Sequence, residues 1–287
     1  MARRYDTVSF LSDLGTADEL VGVVKAVLRD LAPHATVIDL THDLPPFDVR
    51  AGSLALARAI SYVPAGVVLG AVDPGAGSAR RAVAIEVADG EGVVVGPDNG
   101  LLAPAVAMAG GAGRTVVLDR VEHHLPAPGA TLPVRDVFAP VVAHLCNGVD
   151  LLELGTPIEP DLLLPGVVPL PREEAGVLVC EVLWVDRFGN CQLNAGPDEI
   201  AAWGERVTVA AGDPSDPIRR VGTVVDHFAA IGTGAVGLVI DAHGMLTLAL
   251  DRRSAAEELR IGPGDLVVLG PLGDEPAGVT TPVTLRR

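Results

Sequence analysis

Aromatic side chains are nearly missing: 287 residues hold five Phe, two Tyr and two Trp, 3% in all. Any core must therefore be filled by Val, Leu, Ile and Ala. Basic residues are also short, with 21 Lys and Arg against 37 Asp and Glu, a formal charge of −16. That balance argues against electrostatic binding to nucleic acid or an anionic membrane, because phosphate neutralisation needs clustered Lys and Arg. The three cysteines, Cys146, Cys180 and Cys191, fall at spacings that match no zinc or redox pattern. Each lies in a mostly apolar run and reads as a buried free thiol. No apolar run approaches the ~18 residues of a membrane helix. Met1-Ala2-Arg3-Arg4 is basic, but Ser12-Asp13 cuts short the apolar stretch behind it, so no signal peptide is expected. A soluble cytoplasmic protein is the expectation. HxxxH and HxH spacings are absent, which leaves no metal expected. With no GxGxxG after the first strand, no Walker loop and no GxSxG elbow, nicotinamide, nucleoside-triphosphate and α/β-hydrolase readings fall away.

What is present is globular: 49% hydrophobic and 20% charged residues, enough for one large or two ordinary domains. Residues 7–11 read as a strand. Apolar residues from Leu20 to Leu31 recur at helical spacing, Thr36 to Leu40 reads as a strand and Val49 to Tyr62 as a helix. Val67 to Val72 follows as a third strand. This βαβαβ order predicts an α/β N-terminal domain with a central, mostly parallel sheet, over residues 1–160. Ligands gather at the carboxyl edge of such sheets, where three polar loops fall, Asp13 to Asp18, Thr41 to Asp48 and Asp73 to Arg81. Ala82 to Val87 and Gly92 to Val95 flank Asp89-Gly90 as a hairpin, and Phe138 to Leu145 reads as a helix. Proline clusters at Pro160, Pro165, Pro169 and Pro171, which predicts a linker over 161–175. Beyond it the helical period gives way to short strands, so 176–287 is expected to be a C-terminal all-β, barrel-like domain.

Single motifs leave alternatives open. Asp13-Leu14-Gly15-Thr16 can hold ribose hydroxyls or an ammonium group, or merely cap the next helix. The loop from Asp73 to Arg81 places an acid and a guanidinium seven residues apart, as a site or as a solvated turn with an incidental ion pair. Pro97-Asp98-Asn99-Gly100 reads as a tight turn. His34, His123 and His124 sit in polar surroundings and are expected to be exposed. His42 lies in a strand-end loop, and His144 within a helix.

Five motifs in order say more. Ser12-Asp13-Leu14-Gly15-Thr16, Val72-Asp73-Pro74-Gly75, Gly96-Pro97-Asp98-Asn99-Gly100-Leu101-Leu102, Arg135-Asp136-Val137-Phe138-Ala139-Pro140 and Arg187-Phe188-Gly189-Asn190 resemble the S-adenosyl-L-methionine (SAM) hydroxide adenosyltransferases. These SAM hydrolases are relatives of the fluorinase and chlorinase. The resemblance spans nearly the whole chain. It implies displacement at ribose C5′ of SAM with methionine leaving, water giving adenosine and halide a halo-deoxyadenosine. It also implies homotrimers, with SAM held between one subunit's N-domain and its neighbour's C-domain, and no cofactor, since SAM is the substrate.

Carried over position by position, the resemblance gives Asp13 the ribose diol and Asp18 the substrate's polar end. Phe47 falls where a family aromatic packs on the ligand. Asp186 matches an acid gripping the methionine amine, Phe188 and Asn190 lie beside the adenine end, and Phe228 matches an adenine-stacking aromatic. The loops Asp241 to Gly244 and Asp251 to Arg253, including Arg252, match those meeting the carboxylate and adenine edge. Asp73 and Arg80 match two members of the hydrolases' Asp-Arg-His set, and the halogenases carry Tyr at the position of Asp73. A carboxylate there repels halide and accepts a hydrogen bond from water, which favours hydrolysis. The family's Thr-Phe-His-Gly-Arg-Asp segment stands here as Thr131-Leu132-Pro133-Val134-Arg135-Asp136. Pro133 replaces the third residue of the Asp-Arg-His set, and Val134 replaces a Gly that gives room near C5′. The expected function is hydrolysis of SAM to adenosine and L-methionine. The alternatives are halide-dependent halogenation, or SAM or nucleoside binding with weak turnover.

Overall fold

The computed structural model describes residues 4–272. The chain divides into two compact units, Met1–Val168 and Pro169–Arg287.

The first unit is built on β1 (Thr7–Ser12), α1 (Leu20–Leu31), β2 (Thr36–Thr41), α2 (Val49–Ile60), β3 (Val67–Ala71), β4 (Ala82–Val87), β5 (Gly92–Pro97), α3 (Ala103–Met108), β6 (Thr115–Val117), α4 (Ala139–Cys146) and β7 (Thr156–Pro157). Its sheet runs β2-β1-β3-β5-β4-β6-β7. The first four strands are parallel neighbours, and β4, β6 and β7 continue antiparallel, so the sheet is mixed. β3 and β5 are buried along their whole length and correspondingly apolar, as central strands covered on both faces must be. From β1 the chain moves outward to β2, then returns to β3 on the other side of β1. Right-handed crossovers then place α1 and α2 on opposite faces. α1 buries Val21, Val24 and Leu28 and packs against α4, whereas α2 packs against α3. Asp48 caps α2, accepting the Ala51 N–H at 2.8 Å.

The second unit contains β8 (Arg172–Glu174), β9 (Val177–Val185), β10 (Cys191–Leu193), β11 (Arg206–Ala211), β12 (Ile218–Val225), β13 (Val236–Ile240), β14 (Leu246–Leu250), α5 (Ala255–Leu259) and β15 (Leu266–Pro271). The ladder β10-β14-β13-β12-β11-β15-β9 closes through β9–β10 pairing into a seven-stranded barrel, with β8 added outside on β9. Alternate residues fill it: Leu178, Cys180 and Val182 on β9, Val207 and Val209 on β11, Leu246 and Leu248 on β14. Burial pushes all three thiols up to about 12, so they stay protonated and inert.

The proline-rich stretch is shared between the units. Leu162 O accepts from Arg81, Leu164 N donates to Asp98 at 2.8 Å, and residues 172–174 form β8. No helix among the described residues is long and apolar enough to cross a membrane.

Candidate active site

β1 and β3 are neighbours, and their carboxyl ends flank the point where the strand order reverses. Asp13 follows the first and Asp73 the second. Asp13 Oδ2 accepts the backbone N–H of Phe47 at 2.7 Å, which ties the β1 loop to the β2 loop. Phe47 holds φ at 68° although it has a side chain, and it is 71% exposed. Asp18 has local work: its carboxylate accepts the Leu20 N–H at 3.1 Å where α1 begins.

Asp73 and Arg80 form an ion pair, both largely buried. Burial raises the Asp73 pKa and the charge of Asp13 adds to that, while Arg80 and the Gly75 backbone N–H pull it down; the net shift is upward. The two carboxylates therefore sense one another. Arg80 Nε is buried without a hydrogen-bond partner among the described residues. Its guanidinium lies over Gly75, where any Cβ would collide with it. Gly75→Ala should accordingly displace Arg80 and lower turnover roughly tenfold or more, the scale of a lost charge-assisted contact, with little change in melting temperature. Wild-type kcat in that variant would remove the Asp73–Arg80 geometry from the chemistry.

A cavity of about 1010 Å³ opens beside the pair, with Asp73, Arg80, Pro133, Asp136 and Phe138 in its wall. Pro133 starts a π-helical turn, Val134–Phe138, that leads into α4. Irregular helical turns of this kind recur at functional sites. Val134 does not line this cavity: it is 4% exposed and belongs to the core with Phe138 and Val141. The position expected to bear on room near C5′ thus sends its side chain into the hydrophobic layer and not into this cavity. His34, His123 and His124 are half-buried instead of exposed. His124 joins the cavity wall with Nε2 unpartnered, and burial lowers its pKa. The charges that act on it are His123, Glu122 and Asp119, not the Asp73–Arg80 pair.

Two supports were hidden in the sequence. Asn99, read as part of a turn, donates from Nδ2 to Val72 O at 3.0 Å and so fixes the residue before Asp73. Asp98 beside it is buried and bonds Arg81 Nε at 2.8 Å, one residue beyond Arg80. A distant carbonyl cannot be read from a local motif.

In the barrel, Asp186 organises the β9–β10 turn. Its Oδ1 accepts the N–H groups of Phe188 and Asn190 at 2.8 and 2.9 Å, and its Oδ2 accepts from Asn190 Nδ2 at 2.8 Å. That turn thrusts Phe188 outward, 77% exposed. Ala256 N bonds Gly189 O at 3.0 Å, which brings the segment just after Arg252 to the same edge. Arg252 itself is exposed and holds φ at 53°. Phe228 opens a short 3-10 turn after β12, half exposed. Asp241 does not offer a free carboxylate: Gln192, His243, Met245 and Thr247 all donate to it. The expected ligand loop at 241–244 is thus held by its own hydrogen bonds.

A half-buried acid–guanidinium pair at a topological switch point, with a second acid beside it and a closed barrel following in the chain, defines a two-domain class of enzyme. The SAM hydroxide adenosyltransferase N-terminal domain matches residues 8–155 and the corresponding C-terminal domain matches residues 180–268, so the chain belongs to that family. The (R)-S-adenosyl-L-methionine hydrolase of Salinispora tropica is 41% identical over 258 residues, covering 90% of this chain and 95% of its own. The hydrolase of the same name from Thermus thermophilus is 40% identical over 90% of this chain and 96% of its own. A fluorinase from Actinoplanes is more distant, 27% identical over 65% of this chain and 70% of its own. Among solved structures, an uncharacterised conserved protein from Thermotoga maritima superposes with a TM-score of 0.82 at 29% identity, over 92% of this chain and 99% of its own.

Proposed function

We propose that this chain hydrolyses SAM to adenosine and L-methionine by attack of water at ribose C5′. The observation that carries this reading is the Asp73–Arg80 pair, a carboxylate with raised pKa set in a cavity wall. A negative oxygen there opposes halide and accepts a hydrogen bond from water. Asp73 orients the water, Arg80 fixes Asp73, and Asp13 holds the ribose hydroxyls. A water oxygen bonds to C5′ as the C5′–S bond breaks. The bonding pair goes to sulfur, which leaves as the neutral thioether of methionine, and the water proton passes to Asp73 or solvent. The sulfonium needs no general acid, so catalysis consists mainly of alignment and partial desolvation. Phe47, Asp18, Asp186, Phe188, Asn190, Phe228 and Arg252 supply the remaining substrate contacts, with no cofactor or metal in the reaction. The cytoplasm, where SAM is made and used, is the proposed location.

Product analysis with SAM tests the reading directly. Adenosine and methionine in equal amounts are expected; a halo-nucleoside made only with added halide, or bound SAM left intact, would overturn it. We further propose a homotrimer whose sites each join one subunit's α/β domain to its neighbour's barrel. SAM binding should then vanish on dilution to monomer. A monomer that turns over SAM in sedimentation at assay concentration would return the ligand to a single chain.

A further inference from the structure

One buried group has no part in the chemistry above. His42, 5% exposed, sits behind the β1 loop with its ring tilted against that of Phe10, centroids 4.6 Å apart. Its Nδ1 lies 2.8 Å from Ser12 Oγ and its Nε2 lies 3.1 Å from Asp39 Oδ1. Lys25 Nζ bonds the other Asp39 oxygen at 2.8 Å. Burial raises the Asp39 pKa, but the hydrogen bonds from Lys25 and His42 outweigh it and hold the carboxyl below its ordinary value. Asp39 is therefore an acceptor, and the proton on the imidazole belongs to Nε2. Nδ1 then accepts the Ser12 hydroxyl, leaving the Ser12 oxygen to accept the Leu14 N–H at 3.4 Å.

The residue types are those of a serine nucleophile, yet the geometry excludes that use. Ser12 is fully buried, so no substrate carbonyl can reach it. What the chain does grip is the backbone on both sides of Asp13, through Ser12 Oγ and Leu14 N–H. A further bond from Gly15 N to His42 O, 2.8 Å, closes the seam.

We infer that the hydrogen-bonded chain Ser12–His42–Asp39, whose Ser12 and His42 are buried and whose Asp39 meets Lys25 at the surface, positions Asp13 for the ribose 2′,3′-diol. This rests on the ribose role proposed for Asp13. A carboxylate preset toward a diol gains affinity because it need not be ordered on binding. Its neighbours press against that placement: Asp73 carries like charge within range, and Asp13 is otherwise held by the Phe47 N–H. His42, Ser12 and Asp39 are then positioning residues, and their loss should be felt by ligands that carry the diol and not by those that lack it.

Calorimetry with adenosine and 2′,3′-dideoxyadenosine on the full-length protein reads this directly. Wild type should prefer adenosine. Ser12→Ala and His42→Gln should each weaken adenosine roughly tenfold, a lost buried hydrogen bond, and leave dideoxyadenosine unchanged. His42→Asn, which keeps an acceptor near the Nδ1 position, should recover part of the loss. A merely structural role would weaken both ligands alike or lower only the melting temperature, and either result overturns the inference. If wild type shows no preference for the diol, the ribose role of Asp13 itself fails and the inference falls with it. If wild type discriminates and Ser12→Ala discriminates equally, only the positioning chain is wrong. Ser12→Ala removes a single hydroxyl, so it carries the test should the His42 variants not fold.

Discussion

Asp73→Asn should lower turnover by roughly 10²-fold or more, the scale of a lost acid–base contact, while SAM still binds. Asn keeps the shape and an oxygen toward Arg80 but loses the charge that draws a water proton. The Asp13 and Phe47 contacts lie on other loops, so substrate affinity should survive. The pH dependence follows from the same group. Burial sets the Asp73 pKa above its ordinary value, and only the ionised form can draw a proton from water. Activity should therefore fall as pH drops through that raised value, with an acid limb above the ~4 of a free aspartate. The limb should vanish in the Asn variant. For stability the sign reverses. A carboxyl whose pKa is raised on folding favours the fold most at low pH, and that contribution is lost as pH rises through the folded value. Asn removes the carboxyl whose ionisation burial disfavours, so the variant should not melt much earlier at neutral pH. Steady-state kinetics and calorimetry with SAM check both halves. Near-wild-type turnover in the variant would remove Asp73 from the mechanism.

The parts of the molecule legible in the sequence are those with a repeating local pattern. Residues 7–12, 36–41 and 67–71 are strands bounded by polar loops, and in the barrel β9 and β11 alternate with period two. β6, β7, β8 and β10, with three residues or fewer each, carry no measurable period and depend on their neighbours for pairing. The π-helical turn at 134–138 likewise has no sequence signature. It is what turns Val134 inward, against the reading of its position as a pocket wall. The site shows the same division. Asp13, Phe47, Asp73 and Arg80 could be named from ordered motifs, but the hydrogen bond joining Asp13 to Phe47 crosses 34 residues. The Ser12–His42 contact crosses 30 and the Asn99–Val72 contact 27. Such pairings are set by which strands become neighbours, and local sequence does not encode that. His124 illustrates the converse: polar neighbours in sequence predicted exposure, but the fold buries half of it in a cavity wall.

Restoring the family histidine should accelerate the enzyme. Pro133 lines the cavity that holds Asp73 and Arg80 and can neither give nor take a proton. Its backbone, φ −61° and ψ −25°, is ordinary helical geometry that histidine adopts without strain. Pro133→His should raise kcat by about tenfold or more, the lower range for an added acid–base group being higher still. It should also add a titration near the ordinary ~6.5 of histidine. The neutral imidazole is the form that accepts from water, so the added rate should appear as pH rises through that value. Wild type should lack this limb. His124 shares the wall, with its pKa lowered by burial and by His123. The titration should persist when Pro133→His is combined with His124→Ala. Adding Val134→Gly to complete the family pair is a different matter. Val134 is packed in the core, so its removal leaves a void and puts glycine in a helical turn, costing on the order of 2–4 kcal/mol. The double variant should melt well below the single one and gain little further in kcat. If Pro133→His folds and binds SAM yet gains neither rate nor titration, position 133 has no catalytic role in this scaffold, and Asp73 with Arg80 suffices to orient water.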